Sequence, residues 1–150
     1  ISVKKIILAI VLVASSISYS NAQLIKIPDL VKQSFDKQYP NAKEVDWKGG
    51  IDNHTVVFIS SEKKCKASYT SKGDWNYTET KVVFDSIPKS VQDGFKDSKY
   101  KDWSLKELIA VEKPRAVANE YKIIVQKSKI TRKILLFDAK GRLYEELMGL

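Results

Sequence analysis

Residues 27–39 read IPDLVKQSFDKQY, and residues 87–100 read IPKSVQDGFKDSKY. In each stretch an Ile-Pro pair precedes apolar residues at helical spacing, with a phenylalanine in the middle. Proline suits the first turn of a helix because its missing N–H group would have no partner there. The two stretches therefore predict amphipathic helices over residues 29–39 and 89–100.

Short segments with the alternation typical of β-strands follow each predicted helix. After the first helix they cover residues 44–48, 55–60, 65–70 and 75–82, and after the second they cover 104–112, 121–127, 133–138 and 143–147.

Glycine marks one turn in each half of the chain. Gly73 and Gly141 occupy the same place in the related stretches YTSKGDW and FDAKGRL, where a hairpin turn needs a positive φ. Gly94 lies inside the second predicted helix, where glycine costs about 1 kcal/mol relative to alanine unless another segment packs closely against it.

The pattern predicts an α+β fold built as a tandem repeat of one helix plus four antiparallel strands. Both helices are expected on one face of a curved antiparallel sheet. The two halves could form separate lobes or one continuous sheet, and continuity is favoured because a repeat of about 60 residues would be marginally stable alone. The predicted boundaries are a signal peptide at 1–22, a first repeat at 23–85 and a second at 86–150.

The first 22 residues have the order of a secretory signal peptide. Lys4 and Lys5 precede the apolar run 6–14, and a small, polar stretch follows with Ser20 and Ala22 before the expected cleavage point. We therefore expect a periplasmic or secreted protein with no membrane span after signal removal.

Composition argues against most catalytic classes. The chain has 150 residues and a formal net charge of +8, with one Cys, one His and six Gly. That leaves little material for a metal centre, a disulfide framework or a glycine-rich phosphate loop. The basic residues are mostly lysine, whereas nucleic-acid readers favour arginine. We expect no enzyme activity, no cofactor, no metal and no nucleic-acid partner.

A Cys–His nucleophile would require the two side chains to be within hydrogen-bond reach. A hairpin turning near Glu62 would place Cys65 opposite Ile59 and His54 opposite Thr70, about 17 Å apart along the sheet. Cys65 is expected to be a small buried thiol; the alternative is an edge-exposed thiol that pairs with another chain.

The aromatic residues are the feature of the sequence that indicates a binding surface. Trp47, Tyr69, Trp75 and Tyr77 fall on neighbouring predicted strands of the first half, and the last three share strand parity. Against the helix they would be core residues. On the opposite face they would form a rigid amphipathic patch suited to a protein or a sugar, and they are the candidate partner-binding residues.

These motifs resemble the PepSY-like, β-lactamase-inhibitor-like exported proteins found in Bacteroidetes. The resemblance rests on Ile-Pro before a short helix with a central Phe, on Tyr39-Pro40 followed by Val-Asp-Trp, and on the Lys-Gly-Asp-Trp turn followed by Thr-Glu. It implies a fold like that of the β-lactamase inhibitory protein, an open sheet face that holds a partner protein, and no enzyme chemistry. Departures occur in the second half, where Lys101 replaces the proline and Leu143 the tryptophan.

The functional hypothesis is an exported binding module that engages another exported or envelope protein, as an inhibitor or regulator of a secreted enzyme. The alternative is a small-molecule or cell-envelope glycan binder. Asp85-Ser86-Ile87 looks like the O-glycosylation acceptor of Bacteroidetes, which makes Ser86 a candidate modification site.

Overall fold

Each helix begins directly after its proline, as the sequence predicts. The computed structural model describes residues 26–149, so the predicted signal peptide at 1–22 lies outside the described residues. The elements, in chain order, are α1 (Asp29–Gln38), β1 (Lys43–Lys48), β2 (Asn53–Ser60), β3 (Lys63–Thr70), β4 (Trp75–Lys81), a short 3-10 turn (Phe84–Ser86), α2 (Lys89–Lys96), β5 (Ser104–Glu112), β6 (Glu120–Ser128), β7 (Thr131–Phe137) and β8 (Leu143–Met148).

Helix α2 ends four residues before the predicted end at Tyr100. The Ser98 hydroxyl donates to the carbonyl of Phe95 at 2.7 Å and accepts from the backbone N–H of Tyr100 at 3.2 Å. A serine that bonds the backbone in this way competes with the helical pattern.

Within the described part of the chain, no helix is long and apolar enough to cross a membrane.

All eight strands form one antiparallel sheet in the order β1 to β8. The two halves join where β4 pairs with β5 through four residue pairs, from Thr78 opposite Glu112 to Lys81 opposite Ile109. The expectation of a continuous sheet is therefore confirmed.

Both helices pack on the same face of this sheet. Side chains of directly paired residues point to the same side, and one row of pairs crosses the sheet from the first half to the second: Phe58, Cys65, Thr80, Ala110, Tyr121 and Phe137. Phe58 packs with Phe35 of α1, and Phe137 packs in the cluster that contains Val91 of α2. Among residues 26–149, no helix packs on the opposite face.

Two separate hydrophobic clusters hold the helices to the sheet. In the first half, Val31 and Phe35 of α1 pack with Val56, Phe58 and Tyr69. The second cluster joins α2 to three strands and contains Val91, Phe95, Leu108, Ile123, Val125, Leu135 and Phe137. Burying each large apolar side chain contributes about 1.5–3 kcal/mol, so these clusters are the main source of stability.

The predicted glycine turns have the expected backbone geometry. Gly73 has a φ of 88° and Gly141 a φ of 82°. Each turn touches the helix of its own half: a Cβ on Gly73 would lie 2.9 Å from the carbonyl oxygen of Leu30, and one on Gly141 would lie 2.0 Å from that of Ser90. Close helix packing explains why glycine is tolerated at position 94, where a Cβ would lie 2.0 Å from the carbonyl oxygen of Gly141.

The β2–β3 hairpin differs from the expected register by one residue. Cys65 pairs with Phe58 rather than Ile59, and His54 pairs with Tyr69 rather than Thr70. The turn contains only Ser61 and Glu62, both with positive φ values of 47° and 62°, which is the geometry of a two-residue hairpin turn. Cys65 and His54 are still apart, because three residue pairs of the hairpin lie between theirs.

Candidate functional site: the uncovered sheet face

The face of the sheet opposite the helices combines apolar and charged side chains. In the strand register its central positions, here called the uncovered face, are Val57, Ile59, Lys66, Tyr77, Glu79, Lys81, Ile109, Val111, Lys122, Ile124, Ile134 and Leu136. Among residues 26–149, no helix packs against these side chains, because α1 and α2 both lie on the other side.

A charged ladder crosses the middle of the uncovered face. The ammonium group of Lys66 on β3 donates to one carboxylate oxygen of Glu79 on β4 at 2.9 Å. Lys122 donates to the other oxygen. Lys122 belongs to β6, so its side chain reaches across β5 to contact β4. The ladder thereby links strands from both halves of the sheet.

Glu79 is the most enclosed member of this ladder, with a side chain 13% exposed. Burial alone would raise its pKa, but the hydrogen bonds from Lys122 and Lys66 outweigh burial and hold the pKa of Glu79 below its ordinary value. For Lys66, burial would lower the pKa, and the hydrogen bond to Glu79 raises it above its ordinary value. Glu79 and Lys66 are therefore both charged at neutral pH.

Two depressions lie on either side of Glu79. One has a volume of about 220 Å³ and is lined by Val57, Lys64, Lys66, Lys81, Glu107 and Ile109 around Glu79. The other has a volume of about 450 Å³, and Tyr77, Val111, Lys122, Leu136 and Tyr144 line it together with Glu79. Glu79 thus forms part of the wall of both.

The second depression has a polar rim as well as an aromatic lining. The Tyr144 hydroxyl donates to Glu120 at 2.9 Å, and Lys113 pairs with the same carboxylate at 2.7 Å. Burial, followed by the hydrogen bond to Glu120, raises the pKa of Tyr144 to about 12. Tyr144 therefore stays a neutral hydrogen-bond donor over the physiological pH range.

Apolar side chains of the uncovered face are only partly shielded from water. Val57, Val111, Ile124 and Leu136 are half-buried, although no helix in the described part of the chain covers them. Ile109 is 9% exposed and lies between Lys81 and Lys122 in the register, where lysine stems cover apolar neighbours. A sheet face of this kind gains free energy when another surface excludes the remaining water.

Three of the four candidate aromatic residues lie on the helix side of the sheet. Tyr69 is fully buried in the first cluster, and its hydroxyl donates to Gln38 of α1 at 2.9 Å. Trp47 and Trp75 are half-buried and pack against the same cluster. The structure therefore gives these three the core position that was one of the two alternatives.

Tyr77 alone of the four lies on the uncovered face. A bulge in β4 explains the separation: Trp75 pairs with Tyr69, but Tyr77 pairs with Ser68, which shifts the register by one residue. The expectation that Trp75 and Tyr77 share strand parity is wrong for this reason. Asn76 occupies the extra position, and its amide donates to Ser68 at 3.2 Å and to Asn53 at 3.1 Å.

Cys65 and His54 lie apart in the structure, and each contacts a different hydroxyl group. Cys65 is a free, buried thiol whose sulfur contacts the Thr80 hydroxyl at 3.6 Å. The His54 ring lies 3.0 Å from the hydroxyl of Ser71, but its other ring nitrogen has no hydrogen-bond partner within the described chain, so no carboxylate orients the imidazole. Within residues 26–149, no group of three or more His, Cys, Asp or Glu side chains could hold a metal ion.

Ser86 lies at the end of the 3-10 turn between the two halves and is exposed. Its hydroxyl donates to the carbonyl oxygen of Val83 at 2.8 Å. The geometry leaves Ser86 accessible, and its modification stays a prediction.

The sequence reasoning missed the Lys66–Glu79–Lys122 ladder. The alternation of Lys64, Lys66 and Ser68 places these residues together on one face, which was visible in the sequence. The contact between Glu79 and Lys122 was not visible in the sequence, because the side chain of Lys122 passes over an intervening strand.

Comparison with known proteins places the chain among proteins of one fold. Residues 52–145 match the family described as "Putative beta-lactamase-inhibitor-like, PepSY-like". A BLIP-like protein from Bacteroides fragilis has a TM-score of 0.76 at 20% identity, over 84% of this chain and 89% of that one. A "putative periplasmic" protein from Bacteroides eggerthii has a TM-score of 0.76 at 22% identity, over 82% of this chain and 89% of that one. Among curated proteins none matches significantly.

Proposed function

Because the chain belongs to the PepSY-like, beta-lactamase-inhibitor-like family, we propose that it is an exported, non-enzymatic module that binds another protein through the uncovered face. The partner would be another exported or envelope protein, and binding would inhibit or regulate a secreted enzyme. Support for export comes from the order of residues 1–22 and from the solved structure described as periplasmic.

The uncovered face is the observation that carries this proposal. It spans strands of both halves and presents half-buried apolar residues around a charged ladder. Apolar contacts would supply affinity as water is excluded, and Lys66, Glu79 and Lys122 would favour partners with complementary charges. Of the aromatic candidates, Tyr77 would contact the partner directly. Trp47, Tyr69 and Trp75 would support the sheet from behind.

A double variant of the uncovered face tests the proposal. We expect Tyr77→Ser with Val111→Ser to lose a partner that the unaltered protein retains from the envelope fraction of the source organism, because both side chains line the larger depression. The matched control is Gln33→Ser with Lys37→Ser, two exposed positions on α1. Reconstitution of the complex from purified components would follow. Loss of the partner by the control but not by the face variant would contradict the proposal.

A second candidate function is binding of an envelope glycan in the larger depression. Tyr77 and Tyr144 line it beside the carboxylates of Glu120 and Glu145, and aromatic rings with nearby hydrogen-bonding groups are typical of sugar sites. Retention on cell-envelope polysaccharide, lost in Tyr144→Ala and unchanged in Gln33→Ser, would favour this function over protein binding.

We infer further that the two halves are copies of one unit, with boundaries near residues 85 and 86. The supporting observations are the same order of one helix and four strands in each half, and the same contact between the helix and the glycine turn. The exposed Ser86 at the boundary is our candidate for O-glycosylation. A mass of the native protein equal to that of the unmodified chain would contradict it.

A further inference from the structure

The positive charge of the protein is concentrated at one end of the sheet. Because consecutive strands are antiparallel, the β6–β7 turn and the start of β5 lie at the same end. Six cations gather there: Lys101, Lys106, Lys127, Lys129, Arg132 and Lys133. The acidic residues beside them are Asp102, Glu107 and Glu146; Glu107 already pairs with Lys81, and Glu146 pairs with Lys99. The β6–β7 hairpin itself has no acidic residue between Tyr121 and Phe137.

Four of these lysines lack the carboxylate partners that several other described lysines have on the uncovered face and in the loops. Within residues 26–149, the ammonium groups of Lys101, Lys106, Lys127 and Lys129 have no carboxylate within 4.0 Å. Lys127 instead lies over the ring of Trp103 at 5.9 Å. Like charges held together without counter-charges repel one another, so this end of the sheet attracts anions.

An apolar side chain stands at the tip of the same hairpin. Ile130 is 94% exposed and follows Lys129 in the two-residue loop between β6 and β7. Met148, which pairs with Lys133, is 71% exposed, and Leu105, which pairs with Val125, is 38% exposed. The end of the sheet therefore presents apolar tips surrounded by lysines.

We propose that this end of the sheet, the basic hairpin of residues 127–133 with the start of β5, docks on an anionic lipid surface. Lysines would contact lipid phosphates while Ile130 enters the interface between headgroups and acyl chains. This combination of an apolar tip and surrounding cations is the one that interfacial binding requires. The inference does not depend on the uncovered face, because the two surfaces share none of their defining residues.

The chemistry of the hairpin favours a bilayer over a soluble polyanion. Lysine is a compact point charge that suits a diffuse anionic surface, whereas arginine is the residue for bidentate recognition of individual phosphates, and five of the six cations are lysine. A soluble polyanion would also leave Ile130 in water, with no gain from its burial.

Vesicle sedimentation tests the proposal. We expect the protein to bind vesicles of phosphatidylglycerol mixed with phosphatidylcholine more tightly than phosphatidylcholine alone, and to be released by salt. Lys127→Gln with Lys129→Gln should weaken binding about 30-fold, and Ile130→Ser about tenfold. The matched control is Lys72→Gln with Lys140→Gln, two exposed turn lysines at the opposite end of the sheet, which should bind like the unaltered protein. All variants keep residues 1–22, so only differences between them are compared.

A site-specific probe distinguishes loss of folding from loss of docking. A polarity-sensitive fluorophore on Ile130→Cys should shift to the blue with anionic vesicles, whereas the same probe on Lys72→Cys should not. Cys65 is buried and does not compete for the label. Equal binding of the unaltered protein and of Lys127→Gln with Lys129→Gln to anionic vesicles, or an unshifted probe at position 130, would overturn the proposal. A response of the probe to a soluble anionic polysaccharide or inorganic phosphate but not to vesicles would overturn it too.

Discussion

Gly94 shows how a single missing methyl group positions a helix. Glycine in a helix interior is normally a defect of about 1 kcal/mol relative to alanine. Here the backbone of α2 rests directly on the turn between β7 and β8, and the Ser90 hydroxyl donates to the carbonyl of Ala139 in that turn at 2.7 Å. The close contact between helix and turn offsets the helix propensity that glycine lacks relative to alanine.

Gly94→Ala should therefore destabilise the protein, contrary to helix propensity. The new Cβ would lie 2.0 Å from the Gly141 carbonyl oxygen, so helix and turn must separate. We expect a loss of about 2 kcal/mol or more in the free energy of unfolding, measured with urea. Gln33→Ala, an exposed position in α1, should be neutral or slightly stabilising. Equal stability of Gly94→Ala and the unaltered protein would show that the contact is looser than described.

Local signals in the sequence indicated many backbone features but not the side-chain orientation. The positive φ of Gly73 and Gly141 follows from their turn context. Whether Trp75 and Tyr77 share a face depends on a bulge at Asn76, and no residue type in that stretch demands one. One extra residue reverses the orientation of everything after it.

The strands of the two halves are held together by more than backbone hydrogen bonds. Lys122 on β6 reaches over β5 to Glu79 on β4, and Lys66 on β3 completes the ladder. One carboxylate on the uncovered face thus connects the three strands β3, β4 and β6.

Glu79→Gln should lower stability at neutral pH and make little difference in acid. In the folded protein the pKa of Glu79 is below its ordinary 4.5, so the folded state binds the proton less readily than the unfolded state. Its contribution is then complete above about pH 5 and is lost as pH falls below 4.5 towards the lowered pKa. We expect Glu79→Gln to cost about 1–2 kcal/mol at pH 7, measured by urea unfolding at several pH values.

Other carboxylates also titrate in this range, so the informative quantity is the difference between the unaltered protein and Glu79→Gln at each pH. Glu62→Gln, an exposed turn position, is the matched substitution and should leave the profile unchanged. A difference that stays constant from pH 7 to pH 3 would contradict the role given to the ladder.

Element boundaries followed the sequence closely because proline, glycine and apolar alternation mark them. The prediction for α2 extended to Tyr100, beyond the end of the helix at Lys96. A serine such as Ser98 occurs both on exposed helix surfaces and at helix ends, where its hydroxyl bonds the backbone. The Lys66–Glu79–Lys122 ladder could not be predicted from the sequence, because Glu79 and Lys122 lie on strands that are not neighbours. Only the assembled sheet brings them together.

Two hydrophobic clusters share one sheet, and the connection between β4 and β5 determines whether they unfold together. Each half has about 60 residues, a size at which a single core is marginal. Four backbone pairs and the Lys122–Glu79 contact join them. Neither half is expected to persist once the other has unfolded.

Tryptophan reporters measure this coupling. Trp103→Phe leaves Trp47 and Trp75, which report on the first cluster, whereas Trp47→Phe with Trp75→Phe leaves Trp103 in the second. In each variant we expect the urea transition followed by fluorescence to coincide with the transition followed by far-ultraviolet circular dichroism. Fluorescence that changes at a lower urea concentration than circular dichroism in either variant would show that the halves unfold separately.

Continuity of the sheet was foreseeable from chain length, because two marginal units gain stability by sharing a sheet. The order of helices and strands also implied that both helices pack on one side. The sequence could not show which side any given aromatic residue faces, since alternation groups residues without saying where the helix lies.

The middle of the sheet carries small side chains on its helix side. Thr78, Thr80 and Ala110 lie there between the two clusters, and large interlocking residues gather on either side. Packed bulky side chains resist bending, so we expect the sheet to flex most easily along the β4–β5 joint, where the side chains are small. Flexing there would change the curvature of the opposite face, so the proposed binding surface could adjust its shape without repacking either core.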